Sequence, residues 1–415
     1  MEQSTAQALL FHDAANLVIL GLPAHSDFGV GFSEWETGPQ FMGVKFLPPG
    51  LHFVHYRYTN FFFSALLQWY LTKAGNRPAL TSERTADQAA PHDFRSGFFR
   101  WFAAGETVVC EWDPATEQLR IGPNDDDDED EDGSSLDRAQ VARVRANLRG
   151  IDRHLGAFPH AGDAQRRWTA LTSRLTPAVL TRVLPASPRR PRFHVLASDP
   201  PSSSTVDIVK GDAEPIAGQL QFTPIDLKRS WDTTAVPPLT PSQISHHARD
   251  KSWLLESTVA RCGGSFPSAL MAEMELAFVV LLVGHNFDGF EHWKRIMHLV
   301  CLAEDTVAVH PDWLLEFLEV LQNQLQECPA DFFVDLLSRD NFIVKLLNTL
   351  ARSIRTLSHN NDPLARAIHE FSDFVGDRFG LVIGGGHSTP PTTAPNEDDG
   401  EDDQPVIVDL DGSRF

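Results

Sequence analysis

The sequence predicts a multidomain α+β protein, with an N-terminal β-rich domain followed by an all-α helical domain. Three observations lead there. Residues 9–122 carry short runs rich in Val, Ile, Phe and Trp, separated by Gly, Pro and Asp, which is the pattern of strands and turns. Residues 250–380 carry Leu, Ile, Val and Phe at three- and four-residue steps, which is the pattern of helices with one buried face. Between them, residues 185–247 hold ten of the 28 prolines, with many Ser and Thr, and read as a linker. The expected boundaries are therefore 1–184 for the β-rich domain, 185–247 for the Pro-rich linker, 248–380 for the helical domain and 381–415 for a tail.

Within the first domain, "LLFHDAANLVILGLP" gives two short strands with a turn at Asp13–Asn16. "GVKFL" and "LHFVHY" are strand formers on either side of Pro48-Pro49-Gly50. Pro49 presets the first corner of a type II turn and Gly50 takes the positive φ of the second, so this stretch is expected to be a hairpin. It is not a phosphate loop, which needs G-x-G-x-x-G leading into a helix or a Gly-Lys-Ser/Thr ending. Further strands are expected at Phe94–Phe102 and Glu106–Trp112.

The run "NDDDDEDEDG", residues 124–133, places Asp128, Asp130, Asp132 and Gly133 like the first half of a calcium loop. The twelfth position is Ala139 where a bidentate Glu belongs, so the run is expected to be a solvated acidic loop. Two helices end the domain. One carries Val141, Val144, Leu148, Ile151 and Leu155, with Ser135 as N-cap and Gly156 and Pro159 as stops; the other spans Ala164–Leu184. In the linker, Gly218–Trp231 is a stretch able to pack locally, and the basic Pro188–Arg192 reads equally as a nuclear-import signal or a solvated turn.

The helical domain is expected to begin with a helix from Asp250 to Gly263. Ser268 opens one that is apolar nearly all round and therefore central. Asn286 caps the next, with Phe290, Trp293, Met297 and Val300 inward. His310 and Pro311 open another, with Leu314, Leu318, Leu321 and Leu325 inward. A shorter helix follows at Pro329–Ser338. Ile343, Leu347, Leu350, Ile354 and Leu357 mark the sixth, and Asp362 with Pro363 at N1 opens the last.

Charge narrows the function classes. The net charge is −21, yet Asp125–Asp132 supplies eight acids and Glu397–Asp403 six more, leaving about −7 for the remainder. Direct nucleic-acid binding is not expected, because phosphate affinity comes from Lys and Arg. The four cysteines are scattered, without C-x-x-C spacing, which suits a reducing compartment. The N-terminus lacks the basic and apolar regions of a signal peptide. The greasiest run, Leu276–Gly284, is too short to span a bilayer, so no membrane partner is expected.

No motif carries catalytic chemistry. His52 and His55 point to opposite faces of one strand and make a poor metal pair. His285, His292 and His298 have no i, i+4 partner, and "FEHWKR" (Phe290–Arg295) reads as a helix surface with one buried aromatic. Asp331 and Asp335 share a helix face with no nucleophile beside them. No catalytic, cofactor or metal residue is expected, and the chain is not expected to be an enzyme.

The end of the sequence is of another kind. "GGGHSTPPTTAPNEDDGEDD" has the composition of a disordered acidic tail. It is followed by "PVIVDL" (Pro405–Leu410), a strand former with no neighbour in sequence. Either it adds an edge strand to another protein's sheet or it pairs with an edge of the N-terminal sheet; both readings stand.

Long segments of the chain resemble the Aar-two family of splicing assembly factors. They are "LGLPAHSDFGVGFSEWETGPQFMGVKFLPPGLHFVHY", "RSGFF", "ANLRGIDRHLGAFP", "DKSWLLE", "GHNFDGFEHWKRIMHLVC", "PADFFVDLLSRDNF" and the terminal "PVIVDL", in that order. His25-Ser26 departs from the usual Gly-Thr of the family. The resemblance implies an N-terminal β-sandwich-like domain followed by an all-α VHS-like helical domain, and a non-enzymatic role in assembling the U5 small nuclear ribonucleoprotein, in nucleus and cytoplasm and as a monomer. The implied partner is the central spliceosome scaffold protein, held through its RNase H-like and MPN-type domains so that helicase loading is delayed. Val406, Ile407, Val408, Asp409 and Leu410 would be the bridging strand. A general VHS-like peptide-binding adaptor is the alternative.

Overall fold

The computed structural model describes residues 12–57, 95–122, 136–159, 163–184, 193–196, 220–263 except 229 and 235, 268–329, 342–357 and 363–384. The acidic loop 124–133, the basic cluster 188–192, the helix expected over 329–338 beyond its first residue, and Val406–Leu410 lie outside the described residues.

The N-terminal region is built on two five-stranded sheets. One runs β8 (Gln118–Ile121), β7 (Thr107–Asp113), β1 (Ala15–Leu20), β4 (Gly43–Leu47), β9 (Gly156–Ala157). The other runs β10 (His194–Leu196), β6 (Ser96–Phe102), β5 (Gly50–Arg57), β2 (Asp27–Val30), β3 (Ser33–Glu36). Their facing sides share one core, in which Leu17, Ile19 and Cys110 of the first sheet meet Phe28, Val54, Tyr56 and Phe98 of the second. Tyr56 packs edge-on against Trp112 across the gap, and its hydroxyl oxygen accepts from the Leu119 N–H.

Strand periodicity sets the remaining layers. Leu17 and Ile19 point into the sandwich, while Val18 points outward to Val141 and Leu148 of helices α1 (Arg138–Ala146) and α2 (Leu148–Ile151). Along β5, Val54 and Tyr56 face the sandwich, and Leu51 and Phe53 face the helical body. His52 and His55 do fall on opposite sides. His52 packs on Phe102 and Phe158, and His55 stacks beside Phe53.

Three local expectations change. "GVKFL" and "LHFVHY" do not pair as a hairpin: β4 joins the first sheet and β5 the second. Pro48-Pro49 carries no N–H for a ladder, and the segment serves as the corner between sheets. The hairpin turn is instead at Gly31-Phe32, between β2 and β3. There is no turn at Asp13–Asn16, since β1 begins at Ala15 and Asn16 is fully buried. The expected long helices are broken. Asp137, not Ser135, caps α1. Ala164–Leu184 divides into α3 (Ala164–Leu171) and α4 (Pro177–Val183), because Thr176 and Pro177 supply a fresh start signal.

The C-terminal region is helical: α5 (Pro241–Arg249), α6 (Ser252–Arg261), α7 (Ser268–Leu282), α8 (Phe287–Cys301), α9 (Glu304–Val309), α10 (Pro311–Glu327), α11 (Phe342–Leu357) and α12 (Pro363–Phe379). Helix α7 is central as its composition predicts. From Leu270 to Val280 every side chain on it is buried. Helix α8 crosses it at Gly289. A Cβ there would lie 2.6 Å from the Ala277 carbonyl oxygen and 2.5 Å from Val280 Cγ2, so glycine lets the two backbones approach.

One hydrophobic core spans both regions. Leu51, Phe53 and Phe99 of the second sheet, Trp168, Leu180 and Val183 of α3 and α4, and the inward faces of α6 to α12 belong to it. The Pro-rich segment contributes where it is described. His194–Leu196 extends the sheet on β6, and Leu220 and Ile225 are buried in the shared core.

Candidate protein-interaction surfaces

Two buried carboxylates on α7 organise the seam between the regions. Glu273 accepts from the Thr223 hydroxyl at 2.6 Å, from the Thr223 N–H at 3.2 Å and from His292 Nε2 at 2.9 Å, and it is ion-paired with Arg182 of α4. Burial opposes its ionisation, but His292, Thr223 and Arg182 together outweigh that and hold the carboxyl below its usual range. His292 stacks on Phe222 with ring centroids 4.3 Å apart, and burial lowers its basicity.

Glu275, two residues on and so on nearly the opposite side of α7, accepts from the Arg174 N–H at 2.8 Å, the Arg174 guanidinium at 3.2 Å and the Ser173 hydroxyl at 3.1 Å. Here burial wins, and the carboxyl is pushed up to about 7. Further bonds cross the seam. Arg95 Nη1 donates to the Val283 carbonyl at 3.0 Å and to Glu34 at 2.7 Å. Asn286 caps α8 through the Gly289 N–H and donates to the Leu196 carbonyl at 2.8 Å. These contacts fix the β layers on the helices as one supported surface.

The patch "FEHWKR" resolves as a helix with its aromatic inward. Trp293 is fully buried and donates to Gln324 Oε1 at 2.8 Å, and Gln324 in turn donates to the Met274 carbonyl at 3.2 Å. The cysteine thiols are buried, and burial raises all four, Cys110 and Cys328 to about 12. Such thiols are poor nucleophiles. An open depression of about 540 Å³ lies between α3 and α10, lined by Gln165, Arg166, Ser173, Arg174, Glu319 and Asn323.

His246, Asp250 and Asp305 come within metal-ligand spacing of one another. Asp250 is already engaged, accepting from the Ser252 N–H at 2.7 Å and the Asp305 N–H at 3.0 Å, so the cluster caps two helices. Sequence reading missed both α5 and α9. The signal for α5 was present, since Thr240 and Gln243 form a capping box around Pro241.

The sheet edges bear on the terminal strand former. Among the described residues the outer strands are β8 and β3 with four residues each, β10 with three and β9 with two. On β3, Glu34 and Glu36 are held by Arg95 and His25. Short, charged edges resist added strands. No described edge matches the length of the five residues Val406–Leu410.

Two family models match the chain in sequence order, the AAR2 N-terminal domain over residues 13–185 and the AAR2 C-terminal repeat region over residues 222–383. The chain belongs to the AAR2 family. It is 29% identical over 362 residues to the human Protein AAR2 homolog, covering 83% of this chain and 84% of that protein. It is 28% identical over 362 residues to the mouse protein of the same name, with the same coverage. To the Caenorhabditis elegans Protein AAR2 homolog it is 29% identical over 388 residues, covering 89% of this chain and 95% of the relative. The AAR2 match passes through the β sheets, the seam helices and the helical body, ending at Ile383 where the described structure ends one residue later. No helix among the described residues is long and apolar enough to cross a membrane.

Proposed function

We propose that the chain is a non-enzymatic assembly factor of the U5 small nuclear ribonucleoprotein. In this reading it is a monomer that works in cytoplasm and nucleus. It binds the RNase H-like and MPN-type domains of the central spliceosome scaffold protein together and keeps the helicase from loading early. Val406, Ile407, Val408, Asp409 and Leu410 bridge the two domains as an added strand. AAR2 membership over both regions supports the assembly role.

The observation that carries the bridging strand is a mismatch of lengths. A β-branched run follows the described residues in sequence, while the described sheet edges of its own chain offer four residues at most. A partner's sheet edge supplies backbone bonds for affinity and pockets for alternate side chains for specificity. The connection of about 20 residues has a root-mean-square reach of roughly 25 Å. Once the body docks, the strand is presented at roughly millimolar concentration.

The test is a binding titration of the full chain and of a truncation ending at Gly386, against the two scaffold domains separately and together. The expected result is loss of the joint complex on truncation, with docking to a single domain retained. Unchanged joint binding would overturn the strand bridge, and no binding to either domain would overturn the scaffold reading itself.

A further inference from the structure

We infer that the exposed basic face of α11 is an intramolecular dock for the acidic run Glu397–Asp403 of the same chain. The helix reads FIVKLLNTLARSIRTL and contains no Asp or Glu in a chain of net charge −21. Its apolar positions Ile343, Leu346, Leu347, Leu350 and Ile354 are buried. Lys345, Arg352 and Arg355 are exposed. Steps of seven and three residues place these cations along one side of the helix. Among the described residues no carboxylate is ion-paired with any of them.

The path of the chain selects the occupant. After α12 the backbone returns to α11 and leaves the described structure at Gly384. There the Gly384 N–H donates to Asn348 Oδ1 at 2.6 Å, and Arg355 donates to the Gly384 carbonyl. Gly384 has φ of 72°, a conformation that favours glycine. Asn348 lies one turn from Lys345 and one turn from Arg352, so the tail departs from the middle of the basic stripe.

Twelve residues, 385–396, then lead to Glu397. A connection of this composition reaches roughly 20 Å, by the square-root rule for coil linkers. From Asn348 to either end of the stripe is less than about 12 Å at 1.5 Å per residue. Six acids are therefore tethered within reach of three cations. Each exposed pair is weak on its own, but the tether makes the encounter intramolecular and the pairs act together. Docked in this way, the run holds Pro405–Leu410 beside α11 and away from any other sheet. That last consequence rests on the strand-bridge reading; the docking itself does not.

The experiment uses the full chain alone. A nitroxide label at Gln404→Cys reacts selectively, since the four native thiols are buried. Amide broadening is read along α11, with and without K345E/R352E. At about 50 mM salt, broadening confined to the face carrying Lys345, Asn348 and Arg352 is expected. It should fall at least threefold in about 0.5 M salt, where the screening length is only a few ångströms, and be lost in the charge-reversed variant. Carbodiimide cross-linking of Lys345 to Glu397–Asp403 should follow the same pattern. Absence of broadening at low salt would overturn the proposal. So would broadening centred on a sheet edge, or broadening that charge reversal leaves intact. The scaffold titration is decided separately, because no partner is present.

Discussion

The guanidinium of Arg182, on the last helix before the Pro-rich segment, is ion-paired with the carboxylate of Glu273, at the centre of the most buried helix of the C-terminal region. The two residues are 91 positions apart in sequence. Glu273 is 0% exposed and Arg182 30%. Burying this carboxylate is costly, and a hydrophobic pair of similar volume would hold the halves together as well. What the pair adds is orientation. Glu273 can be satisfied only when α4, Thr223 and His292 all converge on it, so one arrangement of the regions is selected.

Removing that carboxylate should therefore cost more than the pair itself contributes. Glu273→Ala removes the acceptor of the Thr223 hydroxyl and His292 and the anionic partner of Arg182, which keeps its bond to the Thr223 hydroxyl oxygen. A loss of about 3 kcal/mol is expected, in the range for breaking a buried pair. Glu273→Gln keeps one acceptor oxygen and should lose less. Denaturant unfolding checks both. Equal and small losses, below about 0.5 kcal/mol, would mean that the network does not select the packing.

Glycine at position 289 gives a second test of the same core. On an exposed helix, Gly→Ala stabilises by up to about 1 kcal/mol. Here the added methyl meets the Ala277 carbonyl and Val280, so α8 must move away from α7. Gly289→Ala should destabilise by about 1–3 kcal/mol, the usual cost of overpacking. A raised melting temperature would show that the two helices are not held at this spacing in solution.

The sequence made the class of each element legible wherever periodicity was strong. The nearly all-apolar α7, the Asn286 cap and the inward face of α10 followed from spacing alone, because burial on a helix leaves a direct imprint on side-chain type. Pairing partners left no such imprint. Nothing local distinguishes a Pro-Pro-Gly corner between sheets from the same residues in a hairpin; the difference lies in β1 and β6, which compete for β4 and β5. The seam was invisible for a related reason. Arg174, Arg182, Thr223, Glu273 and Glu275 are ordinary polar residues in sequence, and only the approach of α4 to α7 makes them a network. The basic face of α11 was readable as composition, but its meaning depends on where Gly384 leaves the fold.

Acid and base sides of the seam should oppose each other in solution. Glu275 is held near 7 by burial, against 4.5 for the free group. Between those values the unfolded chain has released its proton and the folded chain has not, so this residue makes stability fall as pH rises from about 4.5 to 7. His55 runs the other way. Burial and the neighbouring Arg95 lower it from 6.5 to about 4. As pH falls from 6.5 to 4 the unfolded chain gains a proton that the folded chain refuses, so stability falls with acid. Over pH 4.5–6.5 the two slopes cancel in part. Glu275→Gln removes the first and should leave a profile in which stability declines more steeply toward pH 4.5 than in the parent chain. His55→Gln, which can still donate to the Gly31 carbonyl, removes the second and should decline more steeply toward pH 7. Unfolding midpoints measured every half unit across that window decide it. Three parallel profiles would mean that neither group is protonated as its burial dictates, and that water reaches the seam.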